Sequence, residues 1–155
     1  MKTIVTVIFA ILFFTLQSPT VLADWKEDQA KADQYYEAGN YNKAFKAYLK
    51  LAKRGVSHSQ DRVSTMYANG EGKKMDLTEA YAWSVLASQR GAKDMAAKRD
   101  SLFEQTSDKK AAEKKASRLM NKYSREALQK RAEAKAQLKH NAKSGGCTGS
   151  SLGCR

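Results

Sequence analysis

The side chains that could carry covalent or metal chemistry in this chain are few and scattered. Cys147 and Cys154 flank Thr148-Gly149-Ser150-Ser151-Leu152-Gly153 in a Gly- and Ser-rich tail, and the two histidines, His58 and His140, stand far apart. Six intervening residues in such a tail are not the Cys-x-x-Cys spacing at a helix start that lowers a thiol pKa. A zinc site there would need two more ligands, and His140 is the single nearby candidate. In an oxidising compartment the pair predicts a local disulfide, Cys147 to Cys154, which constrains its own short loop by roughly 2 to 3 kcal/mol and adds little to a core it does not touch. Asp76 and Glu79 have the spacing of a carboxylate pair, but also that of a capping box opening a helix, and the glycines just before them favour the cap. With no nucleophile beside a base and no ligand cluster, the sequence predicts no catalytic residue, no cofactor and no metal.

The elements that would position a functional surface are written as a repeat. Ala44-Phe45, with Gly55 eleven residues after the alanine, returns 36 residues later as Ala80-Tyr81 with Gly91. An earlier landmark, Tyr36, Ala38 and Gly39, returns as Tyr67, Asn69 and Gly70 at an offset of 31, so the second unit carries five extra residues, Glu71 to Met75, between its helices. Each unit reads as a helical hairpin. In the first, Ala32, Tyr35, Tyr36 and Ala38 precede the Gly39-Asn40 break, and Tyr41, Ala44, Phe45, Tyr48, Leu51 and Ala52 follow at helical spacing. In the second, Val63, Met66 and Tyr67 lead to Gly70, and Leu77, Ala80, Tyr81, Trp83, Ser84 and Ala87 run to Gly91. Gly55 and Gly91 follow Lys-Arg and Gln-Arg, as suits a left-handed C-terminal cap beside cations. A degenerate third unit places Met95, Ala96, Arg99, Leu102 and Phe103 on one helix and restarts at Thr106-Ser107-Asp108.

On these residues the chain resembles the Sel-one-like repeats, longer-looped relatives of the tetratricopeptide repeats. Val63, Met66-Tyr67, Gly70-Glu71-Gly72, Asp76, Ala80, Trp83, Ala87 and Gly91 occupy the places of that family's pattern, while the first unit, turning at Gly39-Asn40-Tyr41, is closer to an ordinary tetratricopeptide unit. The resemblance covers about Ala30 to Tyr123. It implies an all-α fold, a short right-handed α-solenoid of about two and a half hairpins with a long C-terminal capping helix. It also implies peptide binding on the face made by the first helix of each hairpin, where Tyr35, Gln60 and Ser64 are candidates. Such stacks bury their apolar faces against neighbouring repeats and offer the rest to partners.

Composition sets the outer bounds. Lys2, a largely apolar run from Ile4 to Leu16, Pro19 and Val21-Leu22-Ala23 read as a secretory signal peptide over 1–23, cut between Ala23 and Asp24. The run is shorter than the roughly 20 residues of a spanning helix, so no membrane span is expected after cleavage. The remainder divides into a repeat domain over 24–106, a basic helix over 107–143 and a flexible tail over 144–155. Residues 24–106 hold 14 Lys and Arg against 12 Asp and Glu, whereas 107–143 hold 12 against 4, so the basic balance belongs to the C-terminal helix. Ala112, Ala116, Leu119, Met120, Tyr123, Ala127 and Leu128 give that helix a packing stripe, which thins after Gln129. The absence of aromatics after Tyr123 argues against nucleic acid. The expected function is an exported protein–protein adaptor or scaffold of the cell envelope, in the periplasm or outside the cell. The alternative is an electrostatic grip of the basic helix on an anionic envelope surface.

Overall fold

The computed structural model describes residues 24–89 and 93–144. Among them the chain is all-helical: α1 (Asp24–Glu37), α2 (Tyr41–Lys53), α3 (Ser57–Asn69), α4 (Leu77–Ser88), α5 (Lys93–Gln105), α6 (Lys109–Tyr123) and α7 (Arg125–Ser144). Consecutive helices pack in the pairs α1–α2, α2–α3, α3–α4 and α4–α5, after which α6 returns to pack on α4. The signal-peptide residues through Ala23, the cap residue Gly91 and the cysteines Cys147 and Cys154 lie outside the described residues, and Asp24 opens α1. Among the described residues no helix is long and apolar enough to cross a membrane.

Local chemistry sets the helix ends. After α2, the Gly55 N–H donates to the Ala52 carbonyl at 3.0 Å and the Val56 N–H to the Leu51 carbonyl at 3.2 Å, with Gly55 at φ 85°. This is a Schellman closure, which satisfies carbonyls that the last turn leaves orphaned. Gly39 closes α1 in the same way, through Gly39 N–H to Tyr36 and Asn40 N–H to Tyr35. Asp76 caps α4, its Oδ1 accepting from the Glu79 N–H at 3.0 Å. The reciprocal half of the capping box does not form. The Asp76 N–H turns back to the Tyr67 carbonyl at 2.9 Å, and the Glu79 carboxylate pairs with Lys115 on α6.

The core follows the stripes. Ala44, Phe45, Tyr48, Leu51 and Ala52 of α2 are all buried, as are Val63 and Met66 of α3. The central helix is α4, on which α3, α5 and α6 all pack, and its Ala80, Ala82, Trp83, Ser84, Leu86 and Ala87 are buried. Small residues at four of those six places let neighbouring backbones come close. Side-chain bonds across the seams replace the missing apolar bulk. Ser64 Oγ donates to the Ala80 carbonyl at 2.7 Å, Ser57 Oγ to Ala87 at 3.1 Å, and Gln60 Nε2 to Ala52 at 3.1 Å.

The single helix expected over 107–143 is two helices, broken at Ser124. Ser124 is extended at ψ 156°, ends α6 and starts α7, its Oγ accepting from the Ala127 N–H at 3.2 Å. The Arg131 guanidinium reaches back to donate to the carbonyls of Lys122 at 2.7 Å and Asn121 at 3.3 Å, supplying the exposed end of α6 with the partners it lacks. Two contacts reward the break. Tyr123 stacks on Trp83, rings 5.8 Å apart and 17° from parallel, and Leu128 lies over Gly55, where a Cβ would stand 3.0 Å from its Cδ1. Past Gln129 the described side chains of α7 are exposed throughout.

The loop between α3 and α4 clips the two hairpins together. Tyr36 of α1 donates its hydroxyl to Glu71 at 2.9 Å, and Gly72, at φ 69°, lies against the first turn of α2 so closely that a Cβ would stand 2.6 Å from the Tyr41 carbonyl carbon. Gly39 has a similar φ of 71° with nothing within 4 Å of its absent Cβ. Gly39→Ala is therefore expected to cost only the left-handed strain, about 1 to 2 kcal/mol. Gly72→Ala adds a backbone collision and is expected to cost about 3 kcal/mol or more. Equal losses for the two variants in urea unfolding would contradict the close approach.

Candidate ligand-binding groove

Helices α1 and α3, the first helices of the first two hairpins, border a groove. On α1, Trp25, Gln29, Asp33 and Glu37 recur every four residues and therefore share a face. On α3, His58 and Arg62 do the same. Two open recesses lie between them, one of about 390 Å³ bordered by Trp25, Gln29, Arg54 and His58, the other of about 300 Å³ bordered by Gln29, Asp33, Tyr36, Glu37, Tyr48, His58 and Arg62. Gln29 and His58 belong to both, so the recesses run into one another along α1.

The floor of the groove is aromatic and its hydrogen bonds are mostly committed. Tyr48, fully buried, donates its hydroxyl to Asp33 Oδ1 at 2.5 Å, and His58 Nε2 lies 3.9 Å from the same oxygen. Tyr36 meets Tyr41 and Tyr48 edge-on at 5.3 and 6.4 Å, with the Arg62 guanidinium over its ring at 5.3 Å. Burial first, and then the carboxylate each hydroxyl donates to, hold Tyr48 and Tyr36 above the ordinary tyrosine value of 10.0. Both are donors that keep their protons, which suits recognition and not proton transfer near neutrality.

Two atoms of the groove have no partner. Among the described residues the buried side-chain polar atoms without a hydrogen bond are Gln29 Oε1, Ser59 Oγ and Arg62 Nε, and the first and last belong to residues on opposite walls of the same recess. An unpaired buried polar atom costs about 1 to 3 kcal/mol, and because both atoms are shielded from solvent a ligand would recover that deficit only by drawing the side chains toward the recess. Among the described residues no three His, Cys, Asp or Glu side chains are grouped as metal ligands.

The candidates read from the resemblance fall differently. Tyr35 is half-buried at the edge of α1, with the Lys43 ammonium 5.7 Å from its ring centre. Gln60 and Ser64 point into the seams toward α2 and α4, where their hydrogen bonds are structural, so they do not line the groove. They lie about 200° around α3 from His58 and Arg62 by helix geometry, which puts them on the packing side. The repeat-motif residues build the scaffold: Ala44, Ala80, Trp83 and Ala87 are buried, Tyr67 packs edge-on to Phe45 at 5.1 Å, Gly39, Gly55, Gly70 and Gly72 take positive φ, and Asp76 is the cap. Trp25, Gln29, His58 and Arg62 were legible as i, i+4 pairs, but nothing in the sequence marks which polar pairs face one another.

The tyrosine–carboxylate bond under the groove makes stability depend on alkaline pH. Because Tyr48 holds its proton more tightly folded than unfolded, its contribution is complete below pH 10 and is lost as pH rises above about 10 toward the folded value. Tyr48→Phe is expected to lower stability by about 1.5 to 3 kcal/mol at neutral pH, the worth of a hydrogen bond to a charged group. It should also make the alkaline decline shallower, with Tyr36, Tyr67 and Tyr81 sustaining what remains. An unchanged pH slope in urea melts of the variant would refute the linkage. Comparison of the chain with protein-family models, with curated proteins and with solved structures found no match.

Proposed function

We propose that this chain is an exported helical-repeat adaptor, a right-handed α-solenoid whose α1–α3 groove holds an extended segment of a protein partner in the cell envelope. The observation that carries this reading is the recess with Gln29 and Arg62 on facing walls, each side chain holding one buried polar atom, Gln29 Oε1 and Arg62 Nε, without a hydrogen-bond partner. An extended peptide offers a carbonyl and an N–H at every residue, so Arg62 and Gln29, turned toward the recess, would donate to the one and accept from the other. From Trp25 to Glu37 the groove runs about 18 Å, room for about five extended residues. Trp25 supplies an apolar seat at one end, and Asp33 and Glu37 favour a cationic side chain toward the other. The resemblance to Sel-one-like repeats and the signal-peptide pattern of residues 1–23 support an adaptor outside the cytoplasm. The reading assigns no reaction.

Affinity capture from envelope extract at high salt tests it, with the wild-type chain and Gln29→Ala/Arg62→Ala as baits. A protein held by the wild type and bound at least about 30-fold more weakly by the double variant, the loss typical of an arginine hot spot, is expected. The reading fails if the two baits, matched in thermal melt, retain the same proteins equally.

A further inference from the structure

Helix α6 carries a second surface, independent of the groove. Its buried face is apolar: Ala112 and Ala116 are buried, with Leu119, Met120 and Tyr123 packed toward the core. Two of its lysines are neutralised within the protein, Lys109 by Glu104 at 2.8 Å and Lys115 by Glu79. The remaining four cations, Lys110, Lys114, Arg118 and Lys122, recur every fourth residue, are all exposed, and among the described residues none is paired with a carboxylate. Glu113 is the single acid on the helix.

We propose that this row binds a linear, phosphate-rich polyanion. Four residues of helix rise put successive cations about 6 Å apart along the axis, each turned about 40° from the last, so the row covers about 18 Å of axis and winds about a third of the way around the helix. Neighbouring charges therefore lie within one Debye length, about 8 to 10 Å at physiological ionic strength, and act together on a polymer, whereas a small anion meets only one or two. Lysine suits phosphate as a compact point charge that needs no fixed fork geometry. A lipid surface fits less well. The exposed side of α6 offers Ala111, Ser117 and Asn121 between the cations, with no bulky apolar side chain to enter the headgroup layer, because every large hydrophobe of the helix faces the body. The break at Ser124 fixes the length of the row, since it ends α6 directly after Lys122 and Tyr123.

The test is titration of the full chain with long-chain inorganic polyphosphate at several salt concentrations. Neutralising four phosphates predicts a slope of log affinity against log salt of roughly −3. Lys110→Gln/Lys114→Gln should weaken binding on the order of tenfold at fixed salt and make the slope shallower by about 1.4. Lys135→Gln/Lys139→Gln removes the same charge from α7 and should leave both values near wild type. Equal weakening by the two pairs would reduce the effect to net charge and overturn the proposal. So would tighter retention on anionic phospholipid vesicles than on polyphosphate, full competition by orthophosphate at equal phosphate, or no binding to polyphosphate.

Discussion

Everything in this small fold depends on covering α4. Six of its residues are buried, the other six are half-buried and none is exposed, so no single neighbour can shield it. Helix α3 covers one side and α5 another, and α6 closes the third by laying Ala112, Ala116 and Tyr123 against it. Trp83 shows the dependence most directly. It is 3% exposed, and the stacked ring over it comes from Tyr123, which follows it by forty positions. The basic C-terminal region is thus part of the core's architecture before it is anything else. Its cations line the outside because its apolar residues are already spent on the inside.

The second organising contact is the clip between hairpins. Small helical folds have little core, so polar stitches between neighbouring helices matter more than they would in a large domain. Here Glu71 reaches Tyr36, Gly72 rests on the first turn of α2, and serines of α3 bond to carbonyls of α4. These bonds fix how α1 and α3 stand relative to one another. The groove between them is therefore a product of loop chemistry as much as of helix packing, and it needs no side chain from the C-terminal half.

Much of this was legible in the sequence, and what was not has physical causes. The helical hairpins, the cap at Asp76, the left-handed cap at Gly55 and the buried stripes came from periodicity and turn chemistry, which are local. The groove was not local. The stripe of Val63, Met66 and Tyr67 already turns Gln60 toward the packing side and His58 and Arg62 away from it, but periodicity does not say which helix those two residues face, and the packing of the first hairpin on α3 decided that. The break at Ser124 left a fainter trace. Tyr123, Ser124 and Leu128 hold the positions before, at and after the start of a helix where a hydrophobic staple would place them. An unbroken helix scores as well on propensity alone, since no Gly or Pro interrupts it. The tertiary contacts to Trp83 and Gly55 tipped the balance.

The corner at Ser124 also says something about what α7 is. Helix C-termini are very commonly closed by a glycine in the left-handed region. Here the closing group is the guanidinium of Arg131, which stays charged at any pH a protein experiences and binds two carbonyls from the helix it does not belong to. A brace of that kind loses nothing to acidification, and its hydrogen bonds to fixed dipoles outlast salt better than an ion pair between two mobile side chains. The exposed distal half of α7 thus leaves the body from a corner braced by a group whose charge does not change with pH.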